Sequence, residues 1–267
     1  MFKNIVLSFN KIFTFFKKKN KERKRIRNKL MKDSKKKLIL NSLKSDSAVQ
    51  SIINTYNVDN YLSRLCELHG TDKGFVNLNK DTPFSWEPHP YSVFYNNLFF
   101  HCRENIKLIF ECGIGTNNTK IESHMTKNGK PGASLRMWRD YFVNAHIFGG
   151  DIDSEILFQD DRISTFEVDQ LNTSSINKLW KNINKNNFDL IIDDGLHSYD
   201  AALNFFLNSI EKLKDGGLYI IEDIDFEYLE KLKNRLRDFN PEIIMLNNNY
   251  SERDDINNNN LIVIRKN

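Results

Sequence analysis

Asp193-Asp194-Gly195-Leu196-His197 and Glu222-Asp223 put four carboxylates and an imidazole at the ends of two short apolar runs, 188–192 and 218–221. Carboxylate oxygens are hard ligands that suit Mg2+, Mn2+ or Ca2+ better than soft metals. A histidine beside them can take a proton from a reacting hydroxyl. Four ionised carboxylates held close together repel one another, and a divalent cation is the simplest partner that would hold them in one place. Taken alone, Asp194 and His197 would be a hydrogen-bonded loop pair and Glu222 a helix cap. The second acidic cluster at the neighbouring run weighs against that.

Convergence requires particular elements. A parallel strand over 188–193, a crossover helix and a second parallel strand over 216–221 would bring both clusters to the carboxyl edge of one sheet, where open α/β sheets bind ligands. The preceding chain repeats the plan. Residues 107–112 predict a strand followed by the turn Gly113-Ile114-Gly115, whose glycines let backbone approach a ligand closely. The third glycine of a dinucleotide fingerprint is absent, since Asn117 and Asn118 follow Thr116. Ser134 is placed as the cap of a helix over 135–142. Further strands are expected over 145–150, ending in Asp151 and Asp153, and over 163–168, ending in Asp169. An acid at Asp151 can accept both hydroxyls of a ribose or cap a helix. A charged helix over 228–239 and two last strands, 242–246 and 261–264, complete the pattern. The polar stretch 247–260 between those strands is expected to be a turn-rich loop.

Upstream, residues 58–69 predict a helix ended by Gly70, followed by the polar loop Thr71-Asp72-Lys73-Gly74. Pro83, Pro88 and Pro90 exclude a regular helix over 81–91. With Trp86, His89 and Tyr91, that stretch is either the lid or wall of a substrate site or a packed surface loop.

The totals narrow the class. With 267 residues the chain can hold one sizeable α/β domain and an appendage. Cys66, Cys102 and Cys112 are odd in number and widely spaced; they form neither a zinc pattern nor a disulfide framework, which points to a reducing, cytoplasmic compartment. No apolar run approaches the roughly 20 residues of a spanning helix. The net charge of +4 hides a split: residues 1–45 hold 16 Lys or Arg against Glu22 and Asp33, a surplus of 14, so the remainder carries a deficit of ten. Ile5, Phe9, Ile12, Phe13 and Phe16 share one helical face ahead of the basic run. Such an arm is either an in-plane membrane helix at the inner membrane face, backed by a polybasic segment, or a helix packed on the domain or a partner. No nucleic-acid motif accompanies it, and the remainder is acidic, which argues against a nucleic-acid partner.

These residues together resemble a class I S-adenosylmethionine-dependent methyltransferase. Within that superfamily the chain is similar to a bacterial group of metal-dependent sugar O-methyltransferases from macrolide biosynthesis and surface-polysaccharide loci. The resemblance is carried by Phe110-Glu111-Cys112-Gly113-Ile114-Gly115, Pro131-Gly132-Ala133-Ser134-Leu135-Arg136-Met137-Trp138, Gly150-Asp151-Ile152-Asp153, Val168-Asp169-Gln170, Ile192-Asp193-Asp194-Gly195-Leu196-His197 and Ile221-Glu222-Asp223-Ile224. It is specific over 107–224, looser from His69 onward, and leaves out the arm.

The resemblance implies a Rossmann-like α/β fold: a mostly parallel seven-stranded sheet with an antiparallel last strand and helices on both faces. It implies three parts, a basic amphipathic arm (1–45), a helical or lid region (46–106) and the methyltransferase domain (107–267). Glu111, Gly113, Gly115, Ser134, Asp151, Asp169, Gln170 and Asp193 would line the methyl donor, with Thr71 and Lys73 as a helper loop. Asp194, Glu222 and Asp223 would bind a divalent metal, Mg2+ first. His197, with Asp194, would serve catalysis as general base. The implied acceptor is a small molecule or glycan with a sugar-type hydroxyl, in surface-polysaccharide or glycoconjugate biosynthesis. Homo-oligomerisation is left open. The rivals are a membrane-attached binding or scaffold protein with a non-catalytic methyltransferase fold, and a methyltransferase for a phosphorylated or amino acceptor.

Overall fold

The structure is a computed structural model that describes residues 50–55, 58–121, 123–248 and 259–267. The expected arm and most of the polar loop 247–260 lie outside the described residues. The described residues belong to one compact unit, 48–267.

Nine strands form one sheet: β1 (Gln50–Thr55), β2 (Leu108–Cys112), β3 (His146–Asp151), β4 (Gln159–Asp160), β5 (Ile163–Glu167), β6 (Phe188–Asp193), β7 (Leu213–Ile221), β8 (Glu242–Asn248) and β9 (Asn260–Arg265). Their order is β1-β8-β9-β7-β6-β2-β3-β5-β4. The seven expected strands make up the central run, with β9 antiparallel to both β7 and β8. Two edge strands extend it to nine. β1 adds in parallel to β8, and β4 pairs antiparallel with β5.

Every residue of β6 is buried, as its apolar run 190–192 requires of a central parallel strand covered on both faces; the buried Asp189 accepts the Lys107 and Leu108 N–H groups. The chain leaves β2 toward β3 and β5 on one side, then returns to lay β6 and β7 on the other. That reversal opens a crevice above the carboxyl ends of β2 and β6, the place where such sheets take ligands.

Six helices pack around this frame among the described residues: α1 (Tyr61–His69), α2 (Tyr91–Phe99), α3 (Ala133–Tyr141), α4 (Thr173–Ile183), α5 (Tyr199–Ser209) and α6 (Phe226–Arg235). α4 buries Ile176, Leu179, Trp180 and Ile183, the helical spacing that turns one face to the sheet. Its first turn is capped by Asn172, whose side chain accepts from the Ser174 and Ser175 N–H groups. α1, α2 and α3 share one hydrophobic cluster with the sheet, through Leu62, Tyr95, Trp138, Ile109 and Leu190.

α3 corrects one expectation. Its cap position is Gly132, at φ 72°, with no side-chain cap. Ser134 lies inside the first turn and donates its hydroxyl to Glu111 Oε2 at 2.7 Å. A buried carboxylate facing the helix start takes the hydroxyl that the local pattern assigned to backbone.

Candidate active site

The crevice holds a cavity of about 680 Å3. Gly113, Gly115, Ser134, Asp151, Asp169 and Gln170 line it on one side, and Asp194, His197 and Asp223 on the other. The Gly113-Ile114-Gly115 turn runs along its floor with φ of 84° and 78° at the two glycines. A β-carbon at Gly113 would collide with the Asp194 carbonyl, so the turn and the acidic loop touch backbone to backbone.

Asp151, at the end of β3, accepts the Ile114 N–H on Oδ2 and the Asp153 N–H on Oδ1, both at 3.0 Å. Each oxygen keeps a lone pair toward the cavity, which it lines. Asp153 is the residue that caps the short helix after β3, by accepting the Glu155 N–H. Asp169 accepts the Leu171 N–H at 2.9 Å and stays on the cavity wall.

Gln170 departs from its expected task. Its Nε2 donates to Asp193 Oδ1 at 2.6 Å and its Oε1 accepts the Leu196 N–H at 2.8 Å. Both ends of the amide therefore hold the Asp193–His197 loop. Asp193 itself is buried and faces Gln170, not the cavity. Burial pushes its carboxyl up to about 6, although the Gln170 bond opposes this.

The carboxylates are gathered, but a side chain already supplies the positive charge among them. Lys73 is 2% exposed. Its ammonium lies 2.6 Å from Asp194 Oδ2, 2.5 Å from Glu222 Oε2 and 3.1 Å from Glu111 Oε1. Burial alone would lower its pKa, but the charges of Asp194, Glu222 and Glu111 carry it well above the ordinary lysine value. Glu222 is 1% exposed, and its other oxygen accepts the Tyr95 hydroxyl at 2.5 Å. Burial raises the Glu222 pKa, Asp194 adds to the rise, and Lys73 opposes it. Glu111 is fully buried behind the cavity wall, between Lys73 and Ser134, and burial raises its pKa as well. Lys73 and Glu111 thus sit beneath the site rather than on the cavity lining, whereas Thr71, the other residue of the expected helper loop, lies on it.

Asp194, His197 and Asp223 form a separate group: each offers one ligand atom, and these lie within 4.8 Å of one another. Glu222, expected with them, is turned away toward Lys73 and Tyr95. Asp223 accepts the Tyr91 hydroxyl on Oδ1, and its Oδ2 is 3.5 Å from His89 Nε2. His89 in turn donates from Nδ1 to Asn259 Oδ1 at 2.7 Å and stacks on Tyr91 with ring centroids 4.8 Å apart. Burial would lower the His89 pKa, but the nearby charges of Asp223 and Asp72 raise it. His197 Nδ1 is buried without a hydrogen-bond partner. His197 and Asp223 both adopt positive φ, 55° and 54°, a region that non-glycine residues occupy at some cost and that recurs at functional sites. Two carboxylates and an imidazole whose buried Nδ1 has no hydrogen-bond partner suit a divalent cation.

The stretch 81–91, left open between a substrate wall and a packed surface loop, places part of its length on the cavity. Trp86, Pro88 and His89 line the cavity, and Trp86 is fixed by donating from Nε1 to Asp72 Oδ2 at 2.6 Å. Tyr91 is buried at the start of α2. Tyr95, which the sequence argument passed over, follows it by one helical turn, so the same face of α2 presents both phenols to the acidic clusters. That spacing is the signal that could have found it. Thr116, donating to Asp153 Oδ2 at 2.5 Å behind the glycine turn, carries no such signal.

A doubly wound sheet in this order, with an antiparallel β9 and a cavity over the carboxyl ends of β2, β3 and β6, is the class I S-adenosylmethionine-dependent methyltransferase fold. Solved structures agree: the MycE methyltransferase of mycinamycin biosynthesis, in complex with Mg, SAH and mycinamycin VI, superposes with a TM-score of 0.55 at 22% identity, over 78% of this chain and 55% of that one. No family model matches the chain. Among curated proteins it is similar to a rhamnosyl tetracenomycin-C 2'-O-methyltransferase of Streptomyces olivaceus, 29% identical over 62% of this chain and 38% of that protein. It is also similar to demethylmacrocin O-methyltransferase of Streptomyces fradiae, 30% identical over 54% of this chain and 34% of that protein. The chain thus spans well under half the length of these relatives. The curated relatives are all O-methyltransferases by their names, and three of the names carry a rhamnosyl or olivosyl group, as the sequence resemblance anticipated.

Proposed function

We propose that this protein is an enzyme that transfers a methyl group from S-adenosylmethionine to a hydroxyl of a sugar-type acceptor, with a divalent ion, Mg2+ first, at Asp194 and Asp223. The observation that carries this is the meeting of two halves on one cavity: the glycine turn with Asp151 and Asp169, and the Asp194–His197–Asp223 group. S-adenosylmethionine, when bound, supplies an electrophilic methyl on a positively charged sulfur. A divalent ion, when bound, supplies positive charge that favours the alkoxide form of a hydroxyl.

The chain's own residues do the rest. Gly113 and Gly115 leave backbone exposed to the donor, and Asp151 keeps lone pairs for ribose hydroxyls. His197 accepts the acceptor's proton on an imidazole nitrogen. Tyr91, by donating to Asp223, and Gln170, by bracing the Asp194–His197 loop, fix the reacting side. The lid region 46–106 contributes Trp86, Pro88 and His89 to the acceptor wall, so it belongs functionally with the catalytic domain 107–267. Glu222 joins the metal ligands only if one of its oxygens leaves Lys73 or Tyr95.

The acceptor is proposed at the level of a glycosyl hydroxyl. The surface-polysaccharide role rests on the sequence resemblance alone, since the relatives' names point to antibiotic sugars. The test is His197→Ala in a methyl-transfer assay against a panel of glycosides, with donor binding followed by calorimetry. Turnover should fall about 100-fold or more while donor affinity stays within a few-fold. Undiminished turnover removes His197 from catalysis, and a chain that does not bind the donor removes the methyltransferase reading.

A further inference from the structure

Asp194 stands between two positive sites. One of its sides belongs to the Asp194–His197–Asp223 group, and its Oδ2 accepts from Lys73 at 2.6 Å. The Lys73 ammonium has three N–H donors and meets three carboxylates, those of Asp194, Glu222 and Glu111. With 2% exposure it has no access to water as an alternative partner. Lys73 therefore ties together the carboxylates at the ends of β2, β6 and β7 and offsets part of their mutual repulsion. The same arrangement places a fixed positive charge against a carboxylate that a divalent ion must share.

We propose that Lys73 is the resident counter-cation of the metal site: it keeps the carboxylates assembled in the metal-free protein and weakens the hold on the ion through Asp194. This rests on the metal reading of the Asp194–His197–Asp223 group. Lys73 does not line the cavity, so it is a positioning residue and not a catalytic one. The consequence is a site that survives loss of its ion and exchanges it readily. A cluster of carboxylates without the lysine would bind the ion tightly and come apart without it.

The test uses the full chain, Mn2+ as probe, and two readouts independent of turnover: Mn2+ affinity by electron paramagnetic resonance, and melting temperature in chelator and in Mn2+. Lys73→Met keeps an unbranched side chain, one atom shorter, and removes the charge. It should bind Mn2+ about tenfold more tightly or better. It should also melt lower than the native protein in chelator and gain more from added Mn2+. A lysine with a merely structural role would lower the melting temperature equally in both conditions and leave Mn2+ affinity unchanged, and that result overturns the inference.

Should Lys73→Met fail to fold in chelator, the pair Lys73→Met with Glu222→Gln carries the test, because it removes one charge of each sign. Its Mn2+ affinity should lie within about threefold of the native value. Collapse of Mn2+ binding in this pair would make Glu222 a ligand and overturn the assignment. Native protein that binds Mn2+ while Lys73→Met merely matches it sinks this inference alone. Native protein that binds no Mn2+ sinks the metal reading together with it, and donor calorimetry then reports separately on methyl transfer.

Discussion

Gln170 uses both ends of its amide inside the protein, one on Asp193 Oδ1 and the other on the Leu196 N–H. Its replacement by Leu would leave a buried carboxyl oxygen and a backbone N–H without partners. Each orphaned group costs on the order of 1–3 kcal/mol, so Gln170→Leu should destabilise the fold by about 2–4 kcal/mol in a denaturant titration. A change under about 0.5 kcal/mol would mean that the loop is held by something else. The types and spacing of Asp194, His197 and Asp223 were legible in the sequence because they lie within a few residues of the ends of two apolar runs, at Ile192 and Ile221. The partners of these residues were not. Lys73 is 121 residues from Asp194 and 149 from Glu222, and nothing local to its loop records either distance. The acids pointed to a divalent ion, and the fold adds to that group a buried ammonium, on Asp194, Glu222 and Glu111.

At the level of elements, the β2 turn and the β6 loop depend on each other. The Gly113 N–H donates to the Gly150 carbonyl, and the Asp194 N–H donates to the Cys112 carbonyl, so three strand ends are tied at the point where the donor is proposed to lie. Gly113→Ala adds a β-carbon both at positive φ and against the Asp194 backbone. The variant should lose about 2 kcal/mol or more of stability and most donor affinity, measured by melting and calorimetry. Unchanged donor binding would place the donor away from this turn.

β3 carries a different dependence, on pH. His146 Nε2 lies 2.9 Å from Ser164 Oγ on β5. Burial, followed by the charges of Lys185 and Arg162, lowers its pKa below the ordinary 6.5. The unfolded chain then takes up the proton first as pH falls. The contribution to stability is fully present above 6.5 and is lost as pH drops from there toward the folded value. The difference in melting temperature between neutral and mildly acid buffer should therefore shrink in His146→Gln. An identical difference in both proteins would show that His146 does not titrate between the two states. The strands themselves were visible as apolar runs. β4 was not, because two residues make no run, and β1 was not, because only Ile52 and Ile53 of its six residues are apolar.

For the molecule as a whole, the catalytic unit is expected to stand without the basic segment. The compact unit starts at Ala48, and β1 begins at Gln50. A chain beginning at Ala48 should keep its melting temperature within a few degrees and its donor affinity unchanged, while the full chain alone floats with anionic liposomes. Equal flotation of the two would remove the proposed membrane role of residues 1–45. Loss of donor binding on truncation would show that the arm completes the site.

The sequence by itself determined the run of strands and helices, the acids at successive strand ends, the glycine turn, and through them the fold and the edge of the sheet where ligands are taken. Those are local patterns, set by which residues a strand buries and where its chain turns. Only the tertiary structure decided which buried polar groups pair: Lys73 among Glu111, Asp194 and Glu222, Tyr91 on Asp223, and Gln170 on the Asp193–His197 loop. Electrostatic compensation depends on distance through space and on burial, and separation along the chain carries no record of either.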